Sequence, residues 1–250
     1  MLKIIEIKLK SDDEVVNEYA LAKAMNDKLM EYVDEEYKLF LAEQVIKPYS
    51  QYLVKRKNNI YDWRIATLNK EATEYIAYKL MNSLANGYSW EFKNLKMNFR
   101  VEEKGYIHSA TYKQFVEKYF TNRFKAKYIE FDFLTPTLMF KHEHIPCEAK
   151  DILMNLVAIW NLFAKDKQIY ESNLIDNLSE QTYVDDYEII LKPKELNGKK
   201  CAVFKGKYRF GLNNNIMANK IILMLAEFAQ YAGIGLNTHL GMGAVKVIMR

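Results

Sequence analysis

The chain has 250 residues, half of them apolar, and a formal net charge of +4. This length suits one large domain or two of about 125 residues, and so mild a charge means that any polyanionic partner is bound by a local basic patch. Two cysteines without a CxxC spacing, no signal-peptide hydrophobic region and no apolar run of about 18 residues predict a reduced, cytoplasmic, soluble protein that does not contact a membrane.

The first half of the chain alternates between strand and helix patterns. Residues 5–9 alternate apolar and charged side chains, which predicts a strand. Between residues 13 and 32 the apolar residues recur every three or four positions, which predicts a helix. A second helical stretch, two strands joined by a basic turn, a helix capped by Asn69 and a strand in residues 94–103 follow. This order, β-α-β-β-α-β, is that of a ferredoxin-like unit.

The second half repeats this order after a basic helical connector in residues 109–127. In the helix predicted for residues 215–231, an apolar stripe from Met217 to Phe228 is expected to be buried. The other predicted elements are a strand in 128–140, a helix in 147–165, strands in 187–196 and 200–212, and a strand in 244–249. We therefore predict an α+β protein of two tandem ferredoxin-like, RRM-like domains, residues 1–125 and 126–250.

A glycine-rich segment, AGIGLNTHLGMGAVKVI, runs from Ala232 to Ile248. Glycine is favoured where φ is positive or where another backbone approaches closely, and the first glycine also suits the end of the preceding helix. P-loop and Rossmann turns are excluded, because this loop follows a helix and lacks the P-loop lysine. Two interpretations remain: a helix-to-strand connection with several tight turns, or close approach of a phosphate backbone to exposed N–H groups.

A basic segment lies between Lys192 and Arg209, where seven Lys or Arg residues accompany a single acid. Lys205, Lys207 and Arg209 alternate with other residues, so on a strand they point to one face. This pattern fits phosphate binding, but it also fits a solvated edge strand that lysines protect from aggregation.

The glycine-rich segment closely resembles the C-terminal loop of the RAMP superfamily, and specifically of CRISPR-associated endoribonucleases that cut precursor CRISPR RNA within its repeats. The segments KPYSQYL, FLTPTLMF, WNLF and FKGKYRFGL extend the resemblance along most of the chain. It implies two tandem ferredoxin-like folds, CRISPR repeat RNA as the partner and no cofactor. It also implies cleavage without a metal, in which a 2′-OH attacks the phosphate and leaves 2′,3′-cyclic phosphate and 5′-OH ends.

The same resemblance implies a catalytic histidine shortly before KPY, but here Ala42 occupies that position in FLAEQVIKPYSQYL. Either a histidine was replaced by engineering, which we favour, or this is a natural member that uses other groups or only binds RNA. Lys47 corresponds to a lysine that stabilises the phosphate, although it also suits a surface position. Tyr32 or Tyr37 could fill the place of a catalytic tyrosine, although Tyr32 also fits a buried stripe.

The predicted RNA-binding residues come from the basic strand and the glycine-rich loop. His239 is expected to contact RNA or to replace the missing histidine. A metal site at His142, His144 and Cys147 is not predicted, because no fourth ligand is evident. The RNA-binding set is Lys205, Lys207, Arg209, Gly233, Gly235, Asn237, Thr238, His239, Gly241 and Gly243.

Three hypotheses follow for the function. The leading one is a metal-independent, repeat-specific endoribonuclease, inactivated in this form by Ala42. The second is a non-catalytic subunit that holds guide RNA in a CRISPR effector complex with other subunits. The third is a ferredoxin-like RNA-binding protein outside CRISPR systems. The sequence leaves open the repeat sequence, whether the RNA is a hairpin or a single strand, which groups act as base and acid, and whether the protein is a monomer or a homodimer.

Overall fold

A computed structural model describes residues 1–12, 18–121, 125–139, 148–170, 173–196 and 198–250. The chain divides into two compact units, residues 1–110 with 239–241 and residues 111–238 with 242–250. Each unit contains one antiparallel sheet and several helices, which confirms the predicted α+β class. His142, His144 and Cys147 lie outside the described residues.

The first unit has a five-stranded sheet in the order β2-β3-β1-β5-β4. Four of these strands have the ferredoxin-like arrangement, and β4 is an additional edge strand that the sequence pattern did not predict. The strands are β1 (Leu2–Ser11), β2 (Tyr49–Lys55), β3 (Ile60–Thr67), β4 (Ser89–Phe92) and β5 (Met97–Ala110). The helices are α1 (Glu18–Met30), α2 (Glu35–Glu43), α3 (Lys70–Ala72) and α4 (Lys79–Ser83), and a π-helical segment (Thr73–Tyr78) joins the last two.

The sequence pattern explains how this unit folds. Ile5, Ile7 and Leu9 on β1 are completely buried, as their alternation with charged residues predicts. Asn69 caps α3, since its side-chain oxygen accepts a hydrogen bond of 2.7 Å from the Ala72 amide, so this predicted cap is confirmed.

The second unit has a four-stranded sheet in the order β7-β8-β6-β9, which is the ferredoxin-like arrangement. Its strands are β6 (Tyr128–Thr137), β7 (Thr182–Leu196), β8 (Lys199–Leu212) and β9 (Val245–Met249). Its helices are α5 (Tyr112–Thr121), α6 (Ala149–Phe163), α7 (Leu174–Ser179) and α8 (Ile216–Ala232). The predicted repetition of the ferredoxin-like order is therefore present in the fold.

The basic connector forms α5, and this helix packs within the second unit. The ring of Tyr112 lies 4.9 Å from that of Trp160, and the ring of Phe115 lies 5.6 Å from that of Tyr231. As a result the compact units divide after Ala110, earlier in the chain than the predicted domain boundary at residues 125 and 126.

Helix α8 buries most of its predicted apolar stripe. Met224, Leu225 and Phe228 are at most 1% exposed, whereas Met217, in the first turn, is 58% exposed. The expectation for Met217 was wrong because the start of the helix lies at the surface of the unit. Among the described residues, no helix combines the length and the apolar character that a membrane span requires.

Candidate functional site

Ala42 lies in the last turn of α2, and its side chain is exposed. Just beyond it, the Lys47 ammonium donates hydrogen bonds to the backbone oxygens of Leu41 at 2.5 Å and Gln44 at 2.6 Å. These bonds satisfy carbonyl groups at the C-terminal end of the helix. Partial burial lowers the pKa of Lys47. Lys47 therefore holds the segment between α2 and β2 in place.

Residues 239–241 of the glycine-rich loop belong to the first unit, where Gln51 binds them. The Gln51 side-chain amide donates to the backbone oxygens of Ala22 at 2.8 Å and His239 at 3.1 Å. Its own oxygen accepts a hydrogen bond of 2.8 Å from the Trp63 indole. Gln51 is only 1% exposed, and both the nitrogen and the oxygen of its side-chain amide form hydrogen bonds. This buried amide therefore holds the backbone at His239 in place.

His239 is partly buried beside Tyr49, with the two ring centroids 6.1 Å apart. Burial, and secondarily the charge of Lys47, lowers the pKa of His239 to about 4. The imidazole is therefore neutral near pH 7 and can accept a proton, although a base with so low a pKa is weak. The first unit thus brings two predicted site residues, Lys47 and His239, into electrostatic contact.

The two candidate catalytic tyrosines pack against the core of the first unit. The Tyr32 hydroxyl accepts a hydrogen bond of 2.9 Å from the Trp90 indole, and burial raises the pKa of Tyr32. Tyr37 is 8% exposed and stacks on Tyr75, with a centroid distance of 4.8 Å. These contacts give both tyrosines a packing role, which is the alternative that the sequence left open for Tyr32.

The glycines of the loop are required by contacts within the protein. Gly235 and Gly243 have φ values of 86° and 67°. A Cβ atom on Gly235 would lie 2.3 Å from the Leu138 oxygen, and one on Gly243 would lie 2.0 Å from the Ile234 oxygen. Gly233 ends α8, as predicted. Tight turns and close backbone packing therefore account for the glycine pattern, and contact of these glycines with RNA stays a prediction.

Hydrogen bonds hold both arms of this loop in the second unit. The Gly235 amide donates to the Asn155 side chain at 2.9 Å, and the Gly243 amide donates to the Pro136 oxygen at 3.0 Å. Among the hydrogen bonds of the described residues, none uses the amides of Asn237 or Thr238. These amides are the better candidates for binding phosphate oxygens.

Strand β8 carries the three predicted cations Lys205, Lys207 and Arg209. The side chains of the two lysines are exposed. However, β8 lies between β7 and β6, so the interpretation of this segment as a protected edge strand is wrong.

Acidic residues on the neighbouring strands face these cations. Lys207 is paired in register with Asp132 on β6 and Glu188 on β7. Arg209 binds Glu130, with 2.5 Å between Nη2 and Oε2. Cross-strand pairs of opposite charge are favourable, so this surface is less basic than the sequence of β8 alone indicates.

The described residues contain no group of three or more His, Cys, Asp or Glu side chains that could hold a metal ion. The one cluster considered in the sequence, around His142, His144 and Cys147, falls outside the described ranges.

Comparison with known proteins links these features to a family. Residues 131–245 match the family model of the CRISPR-associated endoribonuclease Cas6. A Cas6 endoribonuclease from Streptococcus thermophilus is 24% identical over 225 residues, which cover 88% of each chain. A solved Cas6 product complex has 19% identity, a TM-score of 0.77 and coverage of 99% of both chains. A solved histidine-to-alanine mutant of a Cas6 protein has 19% identity, a TM-score of 0.72 and coverage of 99% of this chain and 98% of that one.

This chain is similar in sequence and in fold to the CRISPR-associated Cas6 endoribonucleases. The predicted resemblance is thereby confirmed. The Cas6 family match begins in β6 and ends at Val245, so it contains all four glycines of the glycine-rich segment and the basic strand. Ala42 and Lys47 lie before it, and their roles rest on the segment around KPYSQYL.

Two residues that position the Cas6-like loop were missed in the sequence, namely Gln51 and Asn155. Gln51 belongs to the segment KPYSQYL, so the resemblance did offer a signal for it. Asn155 lies among apolar residues of α6, where a polar side chain indicates a buried hydrogen-bond partner. Its partner, the Gly235 amide, is far away in sequence and could not be identified from the pattern.

Proposed function

We propose that this chain binds CRISPR repeat RNA and belongs to an endoribonuclease type that cleaves precursor CRISPR RNA within the repeat. The observation that carries this proposal is the Cas6 family match over residues 131–245, which covers the glycine-rich loop. The curated relatives along most of the chain are named as endoribonucleases, and the fold is shared with a Cas6 product complex.

The proposed reaction needs no water and no metal. A base removes the proton of the 2′-OH, the 2′ oxygen forms a bond to phosphorus, and the bond from phosphorus to the 5′ oxygen breaks as that oxygen takes up a proton. The products are a 2′,3′-cyclic phosphate and a 5′-OH. Such a step requires a positioned base, an acid and positive charge near the phosphorane.

This chain offers only part of that chemistry at α2. The methyl group of Ala42 cannot transfer a proton. Lys47 carries positive charge, but its ammonium is already bonded to backbone oxygens of the segment from Leu41 to Gln44, so it acts first by positioning this segment. His239 is neutral near pH 7, which makes it the alternative proton acceptor in this unit. We therefore propose that Ala42 leaves the protein able to bind repeat RNA and poorly able to cut it.

The test compares this protein with an Ala42→His variant on repeat RNA from the array of its own source, in the presence of EDTA. The His variant is expected to cut at least about 100-fold faster, which is the usual contribution of one acid–base group. The product should carry a cyclic phosphate end, and a substrate with a 2′-deoxy nucleotide before the cleavage site should resist cutting. An Ala42→Gln variant, of similar size but unable to titrate, is the matched control and should remain inactive.

Other outcomes separate the alternatives. If the unaltered protein also cuts, Ala42 is the natural residue, and an added His239→Gln change should then abolish cleavage. If all forms bind the repeat and none cuts, the non-catalytic subunit that holds guide RNA is the better function. Equal binding of the repeat and of unrelated hairpins would overturn the link to CRISPR RNA.

A further inference from the structure

A cavity of about 600 Å³ opens in the second unit, at the start of α8. Among the described residues of its lining there are four cationic side chains and no acidic side chain. This volume lies in the range of small-molecule sites, which usually combine an apolar wall with a few charged or polar groups. The four cations are Lys125, Lys127, Lys220 and Arg250.

The fold itself brings these cations together. The amides of Lys127 and Tyr128 donate to the Arg250 oxygen at 2.5 and 3.0 Å, so the start of β6 and the end of β9 lie side by side. Lys220 comes from the second turn of α8, and its ammonium donates to the Phe120 oxygen at 3.1 Å. Among the described residues, no ion pair includes any of the four cations. Cationic side chains that line one cavity, with no acidic side chain among its described residues, favour a bound anion.

The cavity lining also contains apolar residues of α8. Leu223 is 1% exposed, whereas Ile216, in the first turn of α8, is 70% exposed. A simple inorganic anion would use the cations and leave these apolar residues uncovered. A nucleotide uses both, because its phosphate pairs with the cations while its base covers apolar surface.

We propose that this cavity binds a phosphorylated nucleotide unit, either as a free mononucleotide or as one nucleotide of an RNA strand. Its phosphate lies among Lys125, Lys127, Lys220 and Arg250, and its base packs on Ile216. This site is separate from the residues assigned to cleavage, and it goes beyond the proposed function without depending on it.

The experiment is calorimetric titration of the full chain with AMP, adenosine, inorganic phosphate and a short adenosine oligonucleotide RNA. Ile216→Glu places a carboxylate at the cavity, and an acid in the first turn suits a helix N-terminus, so the variant should fold. Met217→Glu is the matched control, because Met217 is the next residue, is also exposed and does not line this cavity.

We expect AMP to bind at least about tenfold more tightly than adenosine or phosphate, since each lacks one of the two contacts. Ile216→Glu should weaken AMP binding at least about tenfold, and Met217→Glu less than about twofold. Oligonucleotide binding much tighter than that of AMP, with the same sensitivity to Ile216→Glu, would identify an RNA strand as the source.

Equal effects of the two glutamate variants on AMP binding, or no binding of AMP and of the oligonucleotide at about 1 mM, would overturn the proposal. The AMP titration does not involve cleavage. A failure of the Ala42→His variant to cut RNA would therefore leave this result unchanged, and the two proposals fail independently.

Discussion

The three cations of β8 differ in what surrounds them. The Arg209 guanidinium binds Glu130, a carboxylate that is only 8% exposed, and it lies 3.7 Å from an Asp185 oxygen. Lys205 and Lys207 are exposed. Arg209 is thus committed to neutralising an acid within the sheet, whereas the lysines remain available to a ligand. We expect the lysines to contact phosphate and Arg209 to contribute mainly to stability.

Substitution of Arg209 and Lys207 by alanine should separate these roles. Arg209→Ala leaves the largely buried Glu130 carboxylate without its partner and should lower the free energy of unfolding. Lys207→Ala should lower the free energy of unfolding by less than about 0.5 kcal/mol. It should also reduce the slope of the repeat-RNA binding constant against salt concentration by about one unit, as expected for the loss of one phosphate contact. Urea titration and binding at several salt concentrations measure the two effects. A larger loss of stability in Lys207→Ala, or a larger change in the salt dependence of RNA binding in Arg209→Ala, would contradict this assignment.

His239 should make the stability of the protein depend on pH. Its pKa in the folded chain is about 4, against 6.5 for an ordinary imidazole, so the unfolded chain takes up the proton first as the pH falls. The free energy of unfolding should therefore decrease between about pH 6.5 and 4, by about 3 kcal/mol from this residue.

The measurement is urea unfolding of the protein and of a His239→Gln variant at several pH values. Other groups titrate in the same range, so the difference between the two proteins isolates His239. That difference should change across the interval and stay constant above pH 7. Parallel curves over the whole range would show that burial does not disfavour the charged imidazole.

At the scale of elements, the glycine-rich loop is shaped by its own packing. Gly235→Ala would combine a positive φ with a Cβ atom 2.3 Å from the Leu138 oxygen. We expect a loss of at least about 2 kcal/mol in the free energy of unfolding, from backbone strain and displacement of the neighbouring strand end.

Gly105 on β5 provides the matched control for this change. Its φ is not in the positive region, and no atom lies within 4 Å of a Cβ placed there. Gly105→Ala should therefore change stability by less than about 1 kcal/mol. If both variants were equally stable, the loop would owe its glycines to a ligand and not to the protein.

The elements that the sequence predicted well are those with a strong local pattern. The alternation of apolar and charged side chains predicted β1, and Asn69 as an N-cap predicted the start of α3. The short edge strand β4 has only four residues, too few for a clear period, and was missed. The positions of Asp132 and Glu188 opposite Lys207 could not be predicted either, because strand register depends on pairing between distant segments.

At the scale of the whole chain, the repeated order of elements predicts two ferredoxin-like units, and the unit to which the connector belongs depends on its packing. The connector looked basic and helical, and its apolar residues Tyr112, Phe115 and Tyr119 gave no indication of which unit they join. All three are at most 7% exposed. Contacts with α6 and α8 place them in the second unit, a choice that tertiary packing makes and local propensity cannot.

Two fragments test this division, residues 111–250 and residues 126–250. The shorter fragment follows the boundary predicted from the sequence and lacks α5, so the rings of Trp160, Phe228 and Tyr231 lose their contacts with Tyr112 and Phe115. Removal of three buried aromatic side chains should cost well over about 3 kcal/mol, which approaches the whole stability of a domain of this size. The longer fragment should unfold cooperatively in thermal circular dichroism, and the shorter one should unfold at a much lower temperature or show no cooperative transition. Equal midpoints would mean that α5 is not part of this core and that the division belongs after residue 125.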